Sequence, residues 1–259
     1  MGVISNRLGV VCLLACLLAT TLPGTAIGQE TPVDLELVLA VDASGSIDED
    51  EARLQRAGWA DAFTNPRVLG AIRSGRHGAI AVMFLEWAAI GCETIAVNWT
   101  RISDAVSALK FAAGIRRAPR LDCWGGNAIG DAVDFATENI LKNRFRGTRM
   151  VIDVSGDGPN TMGQPILLAR ERALAAGMTI NGLVLVDPDR FFSAPGGLNL
   201  DEYYRTAVTG GPGSFVLVAK KRGNFRQAVL AKLVREIASR PTPRGEVENR
   251  LAAASRAKP

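Results

Sequence analysis

Three short polar clusters hold the residues whose types and spacing could do chemistry: Asp42-Ala43-Ser44-Gly45-Ser46, Gly125-Gly126-Asn127 and Gly156-Asp157-Gly158. Asp42, Ser44, Ser46, Asn127 and Asp157 together offer two carboxylates, two hydroxyls and one amide oxygen. All are hard oxygen donors. They suit Mg2+ or Ca2+, with Mn2+ as a further candidate, and argue against zinc or copper. Five protein oxygens leave an octahedral shell incomplete, so water or a partner's carboxylate would fill the remainder. Thr161 could also approach from the last loop.

These clusters need a scaffold that brings distant stretches to one rim. Leu35 to Val41 is almost continuously apolar, as expected of a central strand covered on both faces. Acidic residues Asp48 to Glu51 then open a helix to about Phe63, where the macrodipole favours them. Gly78–Trp87 and Ile90–Asn98 lie close together and read as a hairpin with an antiparallel edge strand. Helical spacing follows over 102–116 (Ile102, Ala105, Val106, Leu109) and over 128–143, where Ile129, Val133, Phe135 or Ala136, and Ile140 mark the buried side. Strands are expected over 149–155, 178–186 and 214–219, and helices over 165–176, 203–208 and 225–239. This alternation predicts an α/β fold of three layers, doubly wound, with a mostly parallel sheet. Ligands of such sheets bind beyond the carboxyl ends of the strands, where strand order reverses. The three clusters fall at such ends or at helix starts.

Asp42-x-Ser44-x-Ser46 after an apolar strand resembles the first segment of the metal-ion-dependent adhesion site of von Willebrand factor type A domains. Asp157 in Gly-Asp-Gly after a second strand resembles its third segment. The likeness covers about Val33 to Ser239. The stretches from Val151 to Asn160 and from Gly210 to Gly213 are similar to a bacterial, signal-bearing branch of type A-like domains. The resemblance implies a protein-binding module whose cation accepts a partner carboxylate. One position departs: the family usually has Thr in the middle segment, where this chain has Asn127. An Asn oxygen can bind a hard cation, but its reach differs from that of a hydroxyl.

Residues 1–28 read as a secretory signal: a single cation (Arg7), an apolar run from Leu8 to Leu22, then small residues to Gly28. The run is shorter than the ~20 residues a spanning helix needs. An uncleaved anchor and lipid attachment at Cys16 are the alternatives. The expected domain then covers 33–239, and 240–259 is a disordered tail of prolines, charges and small residues. The chain is therefore expected to be exported, periplasmic or secreted, with no membrane span in the mature chain. Net charge is +4, or +3 without Arg7, too small an excess to predict a nucleic-acid partner. Outside the leader only Cys92 and Cys123 remain; export favours their pairing as a disulfide, against two free thiols or part of a metal site.

Competing functions fit less well. His77 is the sole histidine and reads as a surface-turn residue, so a Ser-His-Asp triad has no base near a nucleophile. A phosphoaspartate enzyme would pair Asp42 with a carboxylate two residues on, where Ser44 stands. No phosphate-binding Gly-x-x-x-x-Gly-Lys loop occurs, and Gly125–Gly130 lacks dinucleotide spacing. The rivals are a metal-dependent hydrolase and a structural domain with a degenerate metal site. Asp42, Ser44 and Ser46 could also serve as helix caps. Asp131 reads as a first-turn helix residue. Asp153, mid-strand, needs a partner if buried, with Arg149 or a backbone amide expected. Trp59, Trp87 and Trp99 read as core or core-edge residues. Trp124 and the 187–199 loop with Phe191 and Phe192 are candidate contact surfaces.

Overall fold

A computed structural model describes Gly2 and residues 30–121, 123, 125–186, 194–220 and 223–239. Apart from Gly2, the expected leader lies outside the described residues, as do the expected tail, Trp124, Phe191 and Phe192. In chain order the elements are β1 (Thr31–Val33), β2 (Leu35–Asp42), α1 (Glu49–Phe63), α2 (Pro66–Arg73), β3 (Ile80–Trp87), β4 (Glu93–Ile102) and α3 (Ala105–Arg117). There follow α4 (Ile129–Lys142), β5 (Phe145–Gly147), β6 (Met150–Gly156), α5 (Ile166–Ala175), β7 (Thr179–Val186), α6 (Leu200–Tyr203), a π-helical turn Tyr204–Val208, β8 (Val216–Lys220) and α7 (Phe225–Ala238).

Six strands form the main sheet in the order β4-β3-β2-β6-β7-β8. Every pair is parallel except β3 with the edge strand β4. All eight residues of β2 are buried, which explains its almost continuous apolar run: Leu35, Leu37, Leu39 and Val41 face one core, Val38 and Ala40 the other. The first core holds Trp59 and Phe63 of α1, Phe111 of α3 and Phe225 of α7, with the rings of Phe63 and Phe111 edge to face at 4.9 Å. The second is built from α4, α5, α6 and the π-helical turn. Fully burying each such apolar side chain contributes about 1.5–3 kcal/mol, so helices on both faces hold the sheet.

The chain runs from β2 toward β4 on one side and returns through β6 toward β8 on the other. Strand order therefore reverses between β2 and β6, and their carboxyl ends flank the crevice. Parallel register sets Val41 beside Ser155 there.

Three local expectations change. The buried stripe of α3 is Ala108, Phe111, Ala112 and Ile115, whereas Val106 and Leu109 are exposed and Ile102 ends β4. That stripe has the same helical period, displaced around the axis, and periodicity alone does not say which stripe faces the sheet. Residues 66–73 form a helix because Asn65 caps it and Pro66 begins it. The lead-in 31–33 pairs in parallel with β5, more than a hundred residues downstream.

Candidate metal centre

Asp42 is the last residue of β2 and is buried. Its Oδ1 accepts the Ser44 N–H at 2.8 Å, and its Oδ2 accepts the Asp157 N–H at 3.3 Å. The carboxylate is thus held by backbone donors from both sides of the crevice. Ser44 Oγ lies 3.1 Å from Ser46 Oγ, and Ser46 Oγ donates to Asp157 Oδ1 at 2.8 Å. Residues 111 positions apart meet through side chains. The cap of α1 is Asp48, whose Oδ1 accepts the Glu51 N–H while Glu51 reaches back to the Asp48 N–H. Capping therefore does not account for Asp42, Ser44 or Ser46.

Asn127 enters from the other side, just before α4. Its N–H donates to Thr161 Oγ1 at 2.9 Å, and its carbonyl accepts the Thr161 N–H at 2.9 Å. Thr161 thus clasps the backbone of the middle segment. The Asn127 side chain lies against Gly158: a Cβ there would stand 2.3 Å from Nδ2. Only glycine lets the amide approach the residue beside Asp157. Asp131 sits in the first turn of α4, where its carboxylate accepts the Gln164 N–H.

The two carboxylates meet hydroxyls and backbone N–H groups. Burial pushes Asp42 up to about 7, the Asp157 charge adds to it, and hydrogen bonds from Ser44 and Asp157 oppose it. A buried like-charged pair favours a proton or a cation. Two carboxylates, two hydroxyls and an amide oxygen are hard donors, a set that fits a hard divalent ion.

Sequence reasoning missed the two tyrosines, the only ones in the chain. Tyr204 is fully buried in the π-helical turn, and its hydroxyl comes so close to Gly156 that a Cβ there would stand 2.6 Å away; the same Cβ would lie 3.2 Å from Asp42 Oδ2. Burial, with the Asp42 and Asp157 charges adding, pushes the Tyr204 hydroxyl well above its usual range, so it stays a neutral donor. Tyr203 Oη accepts the Asn160 N–H at 3.1 Å. Both rings brace the loop that carries Asp157, and no local motif announces it.

Beside the rim lies a cleft of about 280 Å3 lined by Ala43, Ser44, Gly45, Glu49, Arg120, Leu121 and Cys123. Cys92 and Cys123 are joined in the structure with Cα atoms 6.3 Å apart, tying this wall to the start of β4. Trp59 and Trp87 are core residues, and Trp99 packs at the sheet edge against Phe145. His77 sits in the turn before β3 and donates its N–H to Asp34.

The chain is similar to proximal thread matrix protein 1 from the mussel byssus, solved with a zinc-occupied MIDAS motif. Identity is 16% and the TM-score 0.57, over 81% of this chain and 49% of that one. It is also similar to the pilus adhesin SpaC from Lactobacillus rhamnosus GG, with 14% identity and a TM-score of 0.55, over 82% of this chain and 31% of that one. The chain spans half or less of these structures. Together with the doubly wound sheet, they define a von Willebrand factor type A-like fold. The family model described as "Protein of unknown function (DUF1194)" matches residues 32–241, and the chain belongs to that family. No curated protein matches it.

Proposed function

We propose that this protein is an exported, divalent-cation-dependent protein-binding module without chemistry of its own. Asp42, Ser44, Ser46, Asn127 and Asp157 would hold Mg2+ or Ca2+, with Mn2+ a further candidate, directly or through water. The bound ion would supply an open position for a partner's carboxylate. The observation that carries this reading is the hydrogen-bonded chain from Ser44 through Ser46 to Asp157, with Asp42 tied to both segments, at the reversal of strand order. Adhesin and matrix proteins among the similar structures support a binding role. The zinc-occupied motif in one of them adds Zn2+ to the ions worth titrating. Export supports reading Cys92–Cys123 as a disulfide in the working protein; among the described residues no helix is long and apolar enough to cross a membrane.

Calorimetric titration of Mg2+, Ca2+, Mn2+ and Zn2+ into the purified protein and into Asp42→Ala tests the site. Heat is expected from the unmutated protein alone. Silence from both proteins ends the cation reading, and equal heat from both ends this assignment of ligands. Metal-dependent capture of a partner, lost in Asp42→Ala, tests the binding role.

A further inference from the structure

Four residues before Asp157, the same strand carries a second charged cluster that the cation site does not use. Asp153 of β6 and Lys232 and Glu236 of α7 are each 0–1% exposed, enclosed by the core that includes Val151, Leu183, Val229 and Leu233. Lys232 Nζ stands 2.9 Å from Asp153 Oδ1 and 2.8 Å from Glu236 Oε1. Glu236 Oε1 also accepts from Asn181 Nδ2 at 2.9 Å, and Asn181 Oδ1 accepts the Phe215 N–H at 3.0 Å. The Phe215 ring lies 4.7 Å from Nζ. Glu236 is thereby fixed, and the lysine is held between the two carboxyl groups.

The contact with Asp153 differs from the one with Glu236. Lys232 makes a regular hydrogen bond to Glu236, yet neither oxygen of Asp153 has a partner in hydrogen-bond geometry. Nζ nevertheless stands 2.9 Å from Asp153 Oδ1, in direct contact with that carboxyl group. It sits beside a carboxyl group in a site without competing solvent, as an amine about to add to it would.

We propose that Lys232 and Asp153 become joined by an intramolecular amide bond, with Glu236 as the proton carrier. Glu236 takes one proton from the Lys232 ammonium. The freed amine adds to Cγ of the protonated Asp153 carboxyl. One of its two hydrogens passes to the departing hydroxyl, which leaves as water; the other stays on the amide nitrogen. Glu236 ends protonated, and neither oxidant nor cofactor is consumed. Burial suits this route, because it pushes the Asp153 carboxyl well above its usual range, with the Glu236 charge adding and Lys232 opposing. Burial lowers Lys232, but the two carboxylates outweigh it and leave the ammonium favoured until Glu236 accepts its proton. The product would tie the central strand β6 to α7, in a layer distinct from the Cys92–Cys123 wall.

Intact mass of the purified, reduced protein, compared with Lys232→Arg, tests the proposal. After correction for the substitution, the unmutated chain should be lighter by one water, and a tryptic digest should yield the peptide Met150–Arg170 linked to Gln227–Arg235. Asp153→Asn should lose ammonia instead and reach the same final mass as the linked unmutated chain. Glu236→Gln should keep its full mass; loss of water in that variant would overturn the role of Glu236. An unmutated protein at full mass, with its digest free of the linked peptide, overturns the bond itself.

Discussion

Two acidic centres share strand β6, and they are neutralised in opposite ways. At Asp153 the carboxyl is met by an ammonium from the same chain, wholly inside the core. At the strand's end, Asp157 and Asp42 are nearly as buried, but a serine hydroxyl and backbone N–H groups meet them. Burying charge is costly unless it is compensated. The inner centre is complete within the polypeptide, whereas the outer one lies at the crevice where ligands of open α/β sheets bind. This contrast is why the outer pair reads as a binding site and the inner one as part of the scaffold.

The comparison is broken most severely at the inner centre. Lys232→Met leaves two buried carboxyl groups without their cation, and denaturant unfolding at neutral pH should show a loss of about 3–5 kcal/mol, the range for a buried pair stripped of one partner. Asp42→Asn should act in the other direction. With no cation present, the native state of the unmutated protein holds the Asp42 proton more tightly than the unfolded chain does. Its stability should fall as pH rises from the ordinary aspartate range through about 7. Thermal melts should show that slope in the unmutated protein, a flatter one in Asp42→Asn, and a rise in Tm on adding cation in the unmutated protein alone.

Smaller effects sharpen the outline of the site. Gly158→Ala puts a methyl group 2.3 Å from Asn127 Nδ2, so the amide must move. A stability loss of about 1–3 kcal/mol, together with weaker cation binding by calorimetry, is expected. Asn127→Thr should change stability by less than about 1 kcal/mol, since the Thr161 clasp engages only the backbone of residue 127. It should raise affinity for Mg2+ if a hydroxyl suits the middle position better than an amide does, and titration of the variant reads this directly.

Much of the architecture follows from local signals. Largely apolar runs mark β2, β3 and the second half of β7, and Asp48 and Asp104 supply caps where α1 and α3 begin. Once alternating strands and helices are recognised, the ends of β2 and β6 become the natural places to look, and Asp42 and Asp157 are legible there. The backbone hydrogen bonds and side-chain periods that encode these elements act over a few residues, so a few residues suffice to reveal them.

Tertiary structure decided the rest. Arg149 or a backbone amide is the partner the sequence suggests for Asp153, yet the Arg149 guanidinium caps α7 through the Glu236 and Ile237 carbonyls, and Lys232 takes the carboxyl. Tyr204 enters beside Asp42, β1 finds β5, and α3 turns Phe111 rather than Leu109 to the sheet. Each outcome depends on which surfaces close against one another after the strands have paired. Side chains separated by dozens of residues have no period or spacing to announce their meeting, and only the packed core brings them within a hydrogen bond's length.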